Sequence, residues 1–344
     1  MSTASNSCQR FYKKANWKYT ITINKINARN PILNKRRKNM NIREQYEKCI
    51  KQGYAMGAFN FVNLDMLKAI LKGAENQNSP VILQTSTSAI DFFGEDYLRA
   101  VLPKVREIAK VPVIFHLDHG KTFEDCTRCI DMGYDSVMID ASALDYEDNV
   151  ALTKKVCDYA HERGVWVEAE LGKLQGVEDD VSSDVSVYTD PDQAKDFAQR
   201  TGCDSLAVAI GTSHGAYKFS GDPKLRFDIL SEIEKRLPST PLVLHGASSI
   251  RQDIVEKINE YGGEITGAKG IPENLLKLAC TEHNITKINM DSDLRLAYTA
   301  EIRKCLKNSP ENFDLRKYIK PAMNEITALV ESKITNVLGS SNKA

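Results

Sequence analysis

Apolar residues recur along the chain with two alternating periods. Short runs rich in Val, Ile, Leu and Ala, at 55–60, 80–86, 111–118, 136–141, 165–170, 205–211, 241–246 and 285–292, have the length and β-branched content of buried strands. Between them lie longer segments whose apolar positions return every three or four residues. These predict helices over 64–76, 97–110, 123–132, 150–163, 191–201, 228–237 and 253–261, with a short amphipathic stretch at 44–50 before the first strand. Eight strand-then-helix repeats are the number that closes a (β/α)8 barrel, so the expected fold is an α/β TIM barrel with additional C-terminal helices. A doubly wound open sheet is the alternative, but no Gly-x-Gly-x-x-Gly follows the first strand to support it.

Polar residues gather at one end of these runs. Asn60, Ser86, Asp118, His119, Asp140, Glu170, His214, His245, Asn289 and Asp291 all fall at or just past the C-terminal ends of the expected strands, where βα loops build barrel active sites. A purely structural barrel has no need of that distribution, and an enzyme is expected.

Three of the histidines, His119, His214 and His245, would surround one mouth of a closed barrel. A lone histidine there is most simply a hydrogen-bonded loop residue; three at matching strand ends suit a catalytic Zn²⁺, whose remaining positions take water or substrate oxygen. Asp118, adjacent to one of them, is placed for proton transfer, with the orientation of a metal-bound histidine as its other reading. Glu170 and Asp140 are candidates for outer-shell or alternative metal ligands. Glu168 reads as a buried, paired carboxylate, His116 as a core or orienting residue, and His161 and His283 as surface positions. The segment 171–190 carries Glu178, Asp179 and Asp180 and is too long for a simple connection. It is either a lid that brings Glu178 to the substrate or a solvated loop. Gly-rich stretches at 211–218 and 246–249, with Asn289-Met-Asp-Ser-Asp293, suit phosphate binding through backbone N–H groups, and Lys218 and Arg295 would add charge. Cys126 and Cys129 lack the second pair that a structural zinc site requires, and the remaining cysteines read as small buried hydrophobes.

Composition narrows the picture further. The 344 residues are 42% hydrophobic and 27% charged, with no apolar run of membrane-spanning length. Formal charge is zero, yet residues 1–42 hold ten Lys/Arg and no acid, which leaves 36 basic against 46 acidic side chains, a balance of −10, on the other 302 residues. An acidic body is a poor nucleic-acid binder. Eight scattered cysteines point to a reducing compartment. The basic segment 1–42 stays open between a disordered tail, an organelle transit segment and sequence upstream of a start at Met40, so the cytoplasm is expected with a mitochondrion-type organelle as the alternative. Residues 43–344 are expected to form one barrel domain.

Seven motifs together resemble a known family: Tyr54-Ala-Met-Gly-Ala-Phe-Asn60, His116-Leu-Asp-His-Gly120, Val137-Met-Ile-Asp-Ala-Ser142, Val167-Glu-Ala-Glu-Leu-Gly172, Gly211-Thr-Ser-His-Gly-Ala-Tyr-Lys218, Leu244-His-Gly-Ala-Ser-Ser249 and Lys287-Ile-Asn-Met-Asp-Ser-Asp293. From about Tyr54 to Lys333 the chain resembles a class II, zinc-dependent fructose-bisphosphate aldolase, departing from the pattern in its basic extension and in Ala247, where relatives often have Ser. The resemblance implies reversible cleavage of fructose 1,6-bisphosphate to dihydroxyacetone phosphate and glyceraldehyde 3-phosphate, with the enediolate stabilised by one Zn²⁺ per subunit; a second divalent or monovalent cation is a further option. It implies His119, His214 and His245 as zinc ligands, Asp118 as the acid–base residue at the C4 oxygen and Glu178 at the C3 proton. Gly215, Lys218, Gly246, Ser248, Asn289 and Ser292 would hold the phosphate of the dihydroxyacetone half, and Asn60, Ser86, Asp291 and Arg295 the glyceraldehyde half. Asp314 and Arg316 match residues that reach a neighbouring subunit, so a homodimer or larger homo-oligomer is implied, with small sugar phosphates as partners and neither nucleic acid nor membrane. A tagatose-bisphosphate aldolase, sharing most motifs, is the alternative within the fold. A barrel metallohydrolase lacks its usual His-x-His on strand one, and a non-catalytic binding descendant is disfavoured by intact Asp118, Glu178 and all three histidines.

Overall fold

The computed structural model describes residues 41–178, 181–183, 187–214 and 224–344, and of residues 175–178, 181–183 and 214 the backbone alone. In chain order the strands are β1 (Met56–Asn60), β2 (Val81–Thr85), β3 (Val113–Gly120), β4 (Ser136–Ile139), β5 (Trp166–Leu171), β6 (Gln175–Glu178), β7 (Val181–Ser183), β8 (Ser205–Val208), β9 (Ser213–His214), β10 (Leu242–Leu244) and β11 (Ile285–Met290). The helices are α1 (Ile42–Gln52), α2 (Leu64–Asn76), α3 (Thr87–Phe93), α4 (Glu95–Ile108), α5 (Phe123–Met132), α6 (Tyr146–His161), α7 (Pro191–Thr201), α8 (Phe227–Arg236), α9 (Gln252–Glu260), α10 (Glu273–Glu282), α11 (Ser292–Asn308) and α12 (Arg316–Lys333). Among the described residues no helix is long and apolar enough to cross a membrane.

Strands β1, β2, β3, β4, β5, β8, β10 and β11 pair in parallel and close into an eight-stranded barrel. The helix ends follow local chemistry that the sequence displays. Asn63 caps α2 by accepting from the Met66 amide at 2.8 Å, and Thr122 with Asp125 forms a reciprocal capping box on α5. Asp190 and Pro191 open α7, which ends at left-handed Gly202. The N-terminal mouth is covered by α1, whose buried Tyr46 stacks on Trp166 at the start of β5 with ring centroids 4.8 Å apart.

Two expectations need correction. The sixth barrel strand stops at Val208, and the segment beyond it turns before Ser213–His214 forms a separate short strand. The long acidic loop is partly a ribbon: β6 pairs antiparallel with β7 and parallel with β9, setting Gln175 opposite Ser213 and Gly176 opposite His214. Backbone N–H and C=O groups that a free loop would leave to water are satisfied in this small sheet.

Candidate metal centre and active site

His119 occupies the penultimate position of β3 with φ +51, a left-handed conformation that costs a non-glycine residue energy and recurs at functional sites. Its Nδ1 donates to Asp140 Oδ2 at 2.9 Å, which leaves Nε2 as the coordinating atom. His245, just past β10, is oriented the other way round: Nε2 donates to Glu168 Oε1 at 2.7 Å, and Nδ1 faces the mouth. The two outward nitrogens point at each other across 2.8 Å. Burial opposes charge on His119, but Asp118, Asp140 and Glu170 outweigh it and raise the imidazole to about 10. Glu170 itself is pushed well above the usual carboxylate range, first by burial and then by neighbouring Asp140. Its Oε2 is buried without a hydrogen bond among the described residues, 3.8 Å from His119 Nδ1.

This donor set fits a divalent cation. Two imidazoles turned inward by carboxylates, together with surplus negative charge and an unsatisfied buried oxygen, are what a metal site requires and what a packed core avoids. Asp118, His119 and His245 bring ligand atoms within 4.8 Å of one another, and so do His119, Asp140 and Glu170. Of His214, the third expected ligand, only the backbone is described, in β9 beside the ribbon.

Asp118 accepts from Asn60 Nδ2 on one oxygen and Asn289 Nδ2 on the other, both at 2.8 Å, and is buried. Asn60 is held in turn by Gln84 at 2.6 Å. The two amides fix the carboxylate plane beside the histidines, with Asn289 also 3.0 Å from His245 Nδ1. Beneath lies a charged layer in which Glu168 is the buried, paired carboxylate and His116 the core residue that the sequence led one to expect, while their partner Lys287 was missed. Lys287 donates to Glu168 Oε1 at 2.8 Å, both fully buried, and His116 accepts from Lys287 at 3.3 Å while its Nδ1 meets Ser136 Oγ at 2.8 Å. Burial, then Lys287, drives His116 well below its ordinary value, so it stays neutral. A lysine within the strand run Ile285-Thr-Lys-Ile-Asn-Met290 was the available signal, since an ammonium inside a barrel must find a carboxylate.

The other expected residues divide by location. Ser86 caps α3, Asp291 and Ser292 begin α11, and Arg295 clasps Asp291 with two nitrogens at 2.8 and 2.7 Å. Gly246 and Ser248 follow β10. Asp314 and Arg316 stand at the start of α12, paired with each other at 2.9 Å, and the Arg316 side chain is 89% exposed. The side chain of Glu178, and Gly215 and Lys218 altogether, lie outside the described residues. His161 is exposed, as expected, but His283 is half-buried, stacked on Phe227 and bonded to Glu234 at 3.1 Å. Cys126 and Cys129 are buried thiols whose pKa burial pushes up.

Gly246 couples the two halves of the mouth. It has φ +57, and a Cβ there would lie 2.5 Å from the Ser213 carbonyl oxygen, against backbone that cannot yield as a side chain does. Gly246→Ala should therefore displace β9, costing about 1–3 kcal/mol of stability and weakening divalent-metal retention. Urea unfolding and elemental analysis check this; wild-type values for both would show that the contact is slack.

Residues 40–343 match the family described as fructose-bisphosphate aldolase class-II. The chain is 46% identical over 324 residues to a fructose-bisphosphate aldolase of Treponema pallidum, covering 89% of this chain and 97% of that one. It is 45% identical over 299 residues to one of Helicobacter pylori, covering 86% and 96%. Among solved structures, the YdjI aldolase from Escherichia coli K12 superposes with a TM-score of 0.71 at 33% identity, covering 88% of this chain and 98% of that one.

Proposed function

The chain belongs to the class II fructose-bisphosphate aldolase family, and from that premise we propose that it cleaves fructose 1,6-bisphosphate reversibly to dihydroxyacetone phosphate and glyceraldehyde 3-phosphate. The observation that carries the reading is the convergence of His119 Nε2 and His245 Nδ1, each turned inward by a carboxylate, beside the buried Asp118. His119 and His245, with His214, would hold the divalent cation, taken here as Zn²⁺; when bound it polarises the ketone oxygen as a Lewis acid.

The chain's own groups do the rest. Asp118, held by Asn60 and Asn289, takes the proton of the C4 hydroxyl, which lets the C3–C4 bond break and the aldehyde leave. Glu178 returns a proton to C3. Its strand β6 is paired to the strand that carries His214, so the acid and the third ligand share one small sheet. Gly215, Lys218, Gly246, Ser248, Asn289 and Ser292 take the phosphate of the dihydroxyacetone half, and Asn60, Ser86, Asp291 and Arg295 the glyceraldehyde half. Coupled assays with the fructose and tagatose bisphosphates test the reading. Faster turnover of the fructose epimer is expected, and equal or better turnover of the tagatose epimer overturns the substrate assignment.

The catalytic domain is proposed as residues 43–344, acting in the cytoplasm as at least a homodimer whose sites receive Arg316 from the neighbouring subunit. The exposure of Arg316 beside Phe313, itself 93% exposed, supports that arrangement. Removing residues 1–39 should leave specific activity and oligomeric state unchanged. Sedimentation of an active monomer would reject the shared site, and a large fall in activity would place part of the domain in the extension.

A further inference from the structure

Lys333 is the last residue of α12, which runs on into a π-helical turn over Ile334–Leu338, and its side chain is 1% exposed. Its ammonium lies 2.8 Å from Glu273 Oε1 and 3.4 Å from Asp293 Oδ2, and it also donates to the Ser249 hydroxyl. These partners come from three separate segments: the loop after β10, the first residue of α10 and the first turn of α11. Asp293 accepts in turn from the Ser249 amide at 3.1 Å and the Ile250 amide at 2.7 Å. Ile250 has φ +36, which a β-branched residue adopts only when its surroundings enforce it. From the other side, the Ile271 amide donates to the Ser248 carbonyl at 3.1 Å, and a Cβ on Gly270 would fall 2.2 Å from the Ser249 carbonyl carbon. Residues 248–250 are thus clamped between a backbone wall and a buried cation.

The clamp has a consequence for ligand binding. Asp293 takes the amides of Ser249 and Ile250 for the scaffold, so a phosphate meeting this loop is left to the Gly246–Ser248 side. Burying an ammonium is costly, and an apolar side chain of similar length often serves stability as well or better. What an apolar residue cannot do is hold Ser249, Glu273 and Asp293 in one fixed geometry. We propose that Lys333 is a positioning residue for the phosphate subsite, a buried tie that sets the loop carrying Gly246 and Ser248 against the helix start carrying Ser292. The proposal rests on the reading that those three residues hold the substrate phosphate.

The test uses the metal-loaded full chain. Lys333→Met is expected to raise KM for fructose 1,6-bisphosphate and the inhibition constant of inorganic phosphate by about tenfold, the low end for one charge-assisted hydrogen bond, with kcat within about twofold. Lys333→Arg should restore most of both. A merely structural lysine would instead lower melting temperature and active fraction at constant KM, and that result overturns the proposal. Ser248→Asp separates the two layers, because a carboxylate in the phosphate's place must raise KM if the subsite is correctly assigned. A rise with Ser248→Asp and none with Lys333→Met discards the role of Lys333 alone; no rise with Ser248→Asp discards the subsite as well. Should Lys333→Met fail to fold, Ser249→Ala removes one arm of the tie and should raise KM about threefold; an unchanged KM counts against the proposal.

Discussion

Stripping the divalent cation with a chelator should abolish cleavage of fructose 1,6-bisphosphate, by about 10³-fold or more, and Zn²⁺ should restore it. The expectation follows from how the site is built. His119 and His245 present coordinating nitrogens to a shared point because Asp140 and Glu168 occupy the opposite edges of their rings. Those nitrogens stand 2.8 Å apart with the carboxylates of Asp118, Asp140 and Glu170 around His119, so the site concentrates negative charge that a divalent cation would neutralise. His119→Ala should accordingly behave like chelated wild type and not recover with added metal. The readout is turnover against metal content by elemental analysis, with a thermal melt to confirm that the chelated chain stays folded. Cleavage by metal-free protein, or borohydride trapping of substrate on a lysine, would replace this chemistry with a Schiff base.

Asp118→Ala should lower kcat for cleavage by about 10²–10⁴-fold, the usual contribution of a positioned general base, while keeping its metal. The orientation of His119 and His245 comes from Asp140 and Glu168, so losing Asp118 leaves both rings held. The variant leaves Asn60 and Asn289 without their acceptor, and a stability loss of about 1–3 kcal/mol should accompany it. Proton exchange into dihydroxyacetone phosphate sharpens the assignment. That molecule has no C4 hydroxyl, so Asp118→Ala should exchange its C3 proton near the wild-type rate, whereas Glu178→Ala should exchange it slowly. Exchange lost equally in both variants would show that Asp118 serves the C3 proton or the metal and not the C4 oxygen.

Much of the barrel is legible in the chain because its signals are local. The expected helices at 64–76, 123–132 and 191–201 match α2, α5 and α7 at both ends, where Asn63, Thr122 and Asp190 cap the first turn. Those at 228–237 and 253–261 match α8 and α9 to within one residue at each end, whereas the C-terminal helices α10, α11 and α12 were foreseen only in kind, and α11 shows why: it buries Ser292, Asp293 and Glu301 along with Leu294, Ala297 and Ala300, which blurs the apolar period. Strand-end position was likewise enough to single out Asp118, His119 and His245, since strand alternation and barrel closure fix where such ends meet.

What a one-dimensional pattern leaves undecided is who partners whom at long separation. Lys287 and Glu168 lie 119 positions apart and Lys333 and Ser249 84 apart, yet each pair is in contact. Residue type says only that a buried ammonium needs a carboxylate; closure of the barrel and docking of α12 choose which one. The tautomers that aim His119 and His245 at one point, and the ribbon that ties β6 to β9, are decided in the same way. They depend on hydrogen bonds whose donors and acceptors meet only after the chain has folded, while helix, strand and cap were already written in neighbouring residues.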